Sequence, residues 1–338
     1  MNSLPFEVII IIYRFDRSIR YTNRYYKLLC QHFHIKDTTN VNKNLAYIYN
    51  NYNINCIRLD SCKSINIIGY NKLSQFHNLR SLSLSNTTIN NNCLQKICKL
   101  TNLERLNISS CFNLSYTGFK YIANLTKLEI LAMDDIFTTS NIFKLIVNIE
   151  KLKVLSIKGC YIVEDSIYYL NQLNNLTTLY CDRAFTTVDI FYLTNNVRFV
   201  SLSSIVMLIP DEFKSYDDYF NNSIKSLILN NLKIVNNITN LLHNYNNLQQ
   251  LSIQGCKYVN AEFLVNVEKC CPKLLLLNIV NCHQFTNYNF HNLKKIKFIV
   301  TSRNILTKNN ICKKCKYTLY QNDVNVIYII KCNNKVHK

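Results

Sequence analysis

The sequence predicts an α/β solenoid, a horseshoe of about eleven stacked strand–turn–helix units. Three observations predict it. The pattern L-x-x-L-x-L-x-x-(C/N/T) recurs along most of the chain with a period near 24 residues. Inside each copy the apolar residues alternate, which on a strand sends them all to one face. Between copies, residues such as Phe119, Ile122 and Leu125 stand at helical spacing. A unit this short cannot bury a core alone, so the copies stack and share one.

The amino-terminal residues 1–35 predict a helical segment. Ser3 can cap a helix that has Pro5 in its first turn and Glu7 near its positive end. Leu4, Val8, Ile9 and Ile12 then form an apolar stripe. Residues 36–53, rich in Asn and poor in apolar pattern, read as a linker or an incomplete cap repeat.

The repeats occupy 54–305. Copies start at Ile54, Leu79, Leu103, Leu128, Leu152, Leu176, Val197, Ile224, Leu248 and Leu274, and the series fades at Leu293-x-x-Ile296-x-Phe298-x-x-Thr301. The ninth template position is Cys62, Cys111, Cys160, Cys256 and Cys282 in five copies, where a small, weakly polar thiol suits a turn. Thiols repeated at one position predict packing, not metal binding or redox switching.

Residues 306–338 form a basic, Cys-containing cap or tail. Cys312, Cys315, Cys332 and His337 have the ligand types and spacing that a structural zinc site uses. The same stretch also reads as a two-stranded hairpin, with Val324, Val326, Tyr328 and Ile330 pairing against the last repeat.

Two stretches carry a family resemblance. Cys111-Phe-Asn-Leu114-Ser115-Tyr116-Thr117-Gly118-Phe119 resembles the C-x-x-[LI]-[TS]-x-x-G-[LF] pattern of cysteine-containing leucine-rich repeats, and the likeness runs over roughly residues 54–301. Leu4-Pro5-x-Glu7-Val8-Ile9-x-x-Ile12, followed by a basic and aromatic half, resembles the F-box. It is shorter than that family between Phe15 and Tyr26, with Tyr25 or Tyr26 where the family has Trp. The resemblance implies that Leu4, Pro5, Glu7, Val8, Ile9 and Ile12 dock onto the adaptor of an SCF-type (cullin–RING) ubiquitin ligase, while the repeats read a target protein. A plain helix sealing the first repeat would carry the same stripe, and the chain would then be a protein-interaction scaffold with no ubiquitin role. The composition and architecture together are similar to those of proteins from large AT-rich DNA viruses, which would place the chain in a host cell.

Composition sets the remaining bounds. With 48% hydrophobic residues in 338, the chain can bury a sizeable core. Its longest apolar run, Val8 to Tyr13, falls far short of the roughly 20 residues of a membrane span, so no membrane partner is expected. Fifteen cysteines, an odd number without an export signal, predict reduced thiols and an intracellular protein, cytoplasmic or nuclear. The Asn, Ile, Lys and Tyr excess has the profile of AT-rich coding. There is no Gly-rich phosphate loop, H-E-x-x-H or G-x-S-x-G, so no catalytic residue and no enzyme are predicted.

The net charge is +19, but +10 of it lies in residues 293–338. Lysines beside Tyr317 and Tyr320 could follow a phosphate backbone; a solvated terminus or localisation signal accounts for them more simply, and nucleic acid ranks last among partners. The strand face is mostly small and polar, as at Ser81, Ser83, Asn107, Ser156, Thr178, Ser201, Ser226, Gln250, Ser252 and Asn278. In its middle, Arg105, Asp134, Lys158, Tyr180, Asp182, Arg183 and Phe199 bring aromatic and charged side chains onto adjacent rungs, the composition of protein-binding hot spots.

Overall fold

The computed structural model describes residues 32–34, 41–51, 54–137, 139–162, 164–186, 193, 196–205, 223–232, 242, 245–257, 259–285, 293, 296–302, 316–321 and 326–331. Its strands are β1 (His32–His34), β2 (Cys56–Arg58), β3 (Ser81–Ser83), β4 (Arg105–Asn107), β5 (Ile130–Ala132), β6 (Val154–Ser156), β7 (Tyr161–Ile162), β8 (Thr178–Tyr180), β9 (Phe185–Thr186), β10 (Phe199–Ser201), β11 (Ser226–Ile228), β12 (Gln250–Ser252), β13 (Leu276–Asn278), β14 (Phe298–Ser302), β15 (Lys316–Gln321) and β16 (Val326–Lys331). All but β7 and β9 form one open sheet, in the order β1-β2-β3-β4-β5-β6-β8-β10-β11-β12-β13-β14-β16-β15. It is parallel as far as β14, and the last two strands are antiparallel. Helices α1 (Val41–Asn51), α2 (Ile67–Leu73), α3 (Asn91–Ile97), α4 (Tyr116–Phe119), α5 (Ser140–Ile146), α6 (Glu164–Asn171) and α7 (Ala261–Cys270) form the other layer. Strands stack about 4.8 Å apart and packed helices about 8–10 Å, so a stack of both bends with its sheet on the inner side.

Each rung is three residues long because only the central residue and its neighbour two places on turn into the core. Ile57, Leu82, Leu106, Leu131, Leu155, Leu179, Val200, Leu227 and Leu251 are each in register with the next rung. All are buried, as are the partners two places on, from Leu59 to Ile279. A fully buried Leu contributes about 1.5–3 kcal/mol, repeated at every rung.

The turn after each strand is equally regular. Its eighth template residue is left-handed in ten repeats: Ser61, Asn86, Ser110, Asp135, Gly159, Arg183, Ser204, Asn231, Gly255 and Asn281, with φ between 55° and 69°. The next residue is the template cysteine where one is present. The thiol of Cys111 donates to the Leu84 carbonyl (3.1 Å), Cys160 to Met133 (3.3 Å), Cys256 to Leu229 (3.1 Å) and Cys282 to Ile253 (3.1 Å). In each case the acceptor belongs to the preceding repeat. Burial pushes the Cys111, Cys256 and Cys282 thiols up, Cys256 to about 11 and Cys282 to about 12, so they stay protonated and able to donate.

Two registers differ from the sequence reading. The solenoid begins one rung earlier than Ile54: β1 pairs parallel with β2, setting Phe33 against Ile57. Cys30-x-x-Phe33-x-Ile35-x-x-Thr38 is the same template without a leucine, 24 residues before Ile54. The last repeat is shifted by three. Ile299, not Ile296, pairs with Leu277, so the copy runs Ile296-x-x-Ile299-x-Thr301. Thr301 is buried, while Phe298 is half-buried on the outer strand face.

Candidate protein-binding surface

Strand residues on either side of the central one point away from the core, and the seventh template residue follows them onto the same surface. Asp134, Lys158 and Asp182 hold that seventh position in consecutive repeats; Tyr180 and Phe199 stand on the strands beside them. Lys158 Nζ lies 3.4 Å from Asp182 Oδ2 and 4.9 Å above the Tyr180 ring, which is 5.2 Å from Phe199. Beside this cluster Arg183 Nη2 pairs with Asp135 at 3.2 Å, with the Arg183 side chain half-exposed. The sequence-predicted residues from Asp134 to Phe199 are therefore neighbours. Arg105 is exposed on β4, two strands before Lys158's repeat, and has no polar contact with them among the described residues.

The two aspartates also bind the next rung. Asp134 Oδ1 accepts from Ser156 Oγ (2.6 Å) and from the Lys158 amide (2.9 Å). Asp182 Oδ1 accepts from Ser201 Oγ and from the Ser203 amide (2.9 Å). Asn230 repeats the arrangement with Ser252 Oγ (2.6 Å) and the Gln254 amide (2.9 Å). Burial raises the Asp134 carboxyl above its usual range, with the Ser156 and Lys158 hydrogen bonds and the Lys158 charge opposing the shift.

The strand face divides in two. Before β10, Ser81, Ser83, Asn107, Ile130, Ala132, Val154, Thr178 and Tyr180 are half-exposed, while Cys56 and Ser156 are buried. From β10 onward, Ser201, Ser226, Ile228, Ser252, Leu276 and Asn278 are buried, and Gln250 stays half-exposed. Phe199 is 3% exposed, with the Tyr180 ring 5.2 Å from its own. Asp182, at 4%, is buried as well. Lys158, Tyr180 and Arg183 thus sit at the boundary between an open half and a covered half.

The sequence reading missed a second surface. Phe112, Phe137 and Tyr161 follow the ninth template residue in three consecutive repeats and are exposed. The signal was an aromatic directly after Cys111, Ile136 and Cys160, visible once the copies are aligned. The adaptor-type residues Leu4, Pro5, Glu7, Val8, Ile9 and Ile12 and the zinc-type residues Cys312, Cys315, Cys332 and His337 lie outside the described residues. Among the described residues no group of three His, Cys, Asp or Glu could hold a metal ion, and no helix is long and apolar enough to cross a membrane.

No family model matches the sequence, and no curated protein matches it. Among solved structures the chain is similar to an internalin from Listeria monocytogenes, at 15% identity and a TM-score of 0.50, over 78% of this chain and 88% of that one. It is also similar to TLR13, solved as a TLR13–ssRNA13 complex, at 16% identity and a TM-score of 0.56, over 80% of this chain and 41% of that one. The chain thus spans less than half the length of TLR13. The fold is a leucine-rich-repeat solenoid.

Proposed function

We propose that this chain is a protein-binding subunit that holds its target on the open half of the strand face. The observation that carries the reading is the Lys158–Tyr180–Asp182 cluster with Arg183 at its margin. A cation held over an aromatic ring and backed by a buried carboxylate is rigid before binding, which lowers the entropic cost of association. The finer reading is a substrate-recognition subunit of an SCF-type ubiquitin ligase. Its support is Leu4-Pro5-x-Glu7-Val8-Ile9-x-x-Ile12 standing before leucine-rich repeats of the cysteine-containing kind. Its mechanism would be positioning: the target is held near a ligase that does the chemistry, through raised effective concentration.

Co-purification with the SCF adaptor tests this reading. Wild-type chain retains the adaptor, and Leu4→Asp with Ile9→Asp loses it, while a chain lacking residues 303–338 keeps it. A folded wild-type chain that fails to bind the adaptor leaves a scaffold with no ubiquitin role.

A further inference from the structure

Phe112, Phe137 and Tyr161 hold the tenth template position in three consecutive repeats, with exposures of 74%, 75% and 47%. The Phe137 and Tyr161 ring centroids are 6.3 Å apart. Strands β7 and β9 pair in parallel, with the backbone of Tyr161 opposite that of Phe185. The fold does not require aromatics there. The same position is Lys63 and Thr88 in the two repeats before the row, and Lys257 and His283 further along. Leaving such a ring in water forgoes the gain of burying it. Exposed aromatic side chains grouped on successive repeats mark an interaction surface.

Charge selects the partner. Around the row, residues 111–118, 136–143 and 160–167 contain no Lys or Arg; their only charges are Glu164 and Asp165. In a chain of net charge +19 these stretches are acidic, and Arg183 beside them is paired with Asp135, so the edge does not favour a phosphate backbone or an acidic membrane. Spacing selects the shape. Rungs stack about 4.8 Å apart and an α-helix rises about 5.4 Å per turn, so side chains on successive helical turns meet successive rungs.

We propose that the row docks an amphipathic helix of a partner protein, with the helix's apolar stripe on Phe112, Phe137 and Tyr161 and its Lys or Arg flank beside Asp165. This helix-on-edge contact is independent of the adaptor and of the Lys158 cluster.

The test uses the full chain and three synthetic helical peptides, read by fluorescence anisotropy. One has leucine on every turn with lysine on the flanks, the second has glutamate in place of lysine, and the third has serine in place of leucine. The lysine peptide binds, the glutamate peptide binds at least about tenfold more weakly, and the serine peptide does not bind. Phe112→Ser with Phe137→Ser weakens the lysine peptide at least about tenfold without changing the melting temperature, because both rings are exposed. Should that double variant unfold, Phe137→Lys carries the test: it weakens the lysine peptide and favours the glutamate peptide. Undiminished binding by the variants, a preference for the glutamate peptide, or no binding by any peptide overturns the proposal. So does binding of poly(U) RNA that the double variant abolishes, which would make the row a base-stacking platform.

Discussion

Asp134 and Asn230 occupy one template position four rungs apart and make the same pair of hydrogen bonds to the next rung. One carries a charge that the fold does not use for those bonds. Burial raises the Asp134 carboxyl above its ordinary 3.8. The folded chain therefore keeps this proton at a pH where the unfolded chain has released it. Stability falls as pH rises through that window, and the cost of burying the charge is fully present at neutral pH. Asp134→Asn removes this cost and keeps the accepting oxygen, so its stability at pH 7 equals the wild type's or exceeds it by up to about 1 kcal/mol. Asp134→Ala strands two donors and costs about 1–3 kcal/mol. Urea unfolding at pH 7 and at pH 4 checks both, and the gap between wild type and Asp134→Asn narrows at the lower pH. Equal losses in the two variants would show that the charge itself is needed. The many asparagines answer to the same logic. Asn66, Asn90 and Asn260 cap α2, α3 and α7, while Asn102 and Asn175 donate to carbonyls of the preceding repeat, His77 and Glu150. Whatever coding bias supplied them, the fold uses these side chains.

The left-handed turn is what each element shares, and its tolerance differs between repeats. Gly159 has φ +68°, and a Cβ there would stand 2.2 Å from Asp135 Oδ1. Gly159→Ala is therefore expected to cost about 1–3 kcal/mol, from the backbone conformation and from displacing Asp135. Ser61→Ala, at a position that already tolerates a Cβ at φ 62°, is expected to cost less than about 1 kcal/mol. Chemical denaturation of the pair checks this, and equal losses would count against the clash. The strands themselves were legible, because a leucine-like residue at the first, fourth and sixth positions admits one register. That ceases at the ends. Leu293, Ile296 and Ile299 are spaced by threes, so two registers satisfy the first half of the template. Only the sixth position separates them, and there the apolar Phe298 outcompetes Thr301 on paper while the structure buries Thr301. The first rung was hidden because Phe33 and Ile35 stand where leucines were sought. On the strand face, the template spacing puts Asp134, Lys158 and Tyr180 on adjacent rungs, and the structure has them there. It could not reveal that both aspartates bind neighbouring backbone, because that depends on a partner about 24 residues away.

At the scale of the whole molecule, the parallel stack must end, and each end exposes a core and a strand edge. At the amino-terminal end α1 packs on α2 and buries Val41, Leu45 and Ile48. At the other end the chain reverses: β16 pairs antiparallel with β14, setting Val300 opposite Ile329, and β15 closes on β16. The reversal matters because a parallel rung always leaves an edge that another rung of the same kind can extend. An antiparallel hairpin ends that series and replaces the three-residue rung with six-residue strands. A chain ended after Ser302 would leave the β14 edge open next to Ile299 and Val300. Such a chain is expected to self-associate through that edge and to melt on the order of 5 °C lower. Size-exclusion chromatography with light scattering, together with thermal melting, checks both effects. The truncated chain should run as dimers or larger species at concentrations where the full chain is monodisperse. If it stays monodisperse and melts with the full chain, the hairpin is an appendage and the solenoid is sealed by its own last rung.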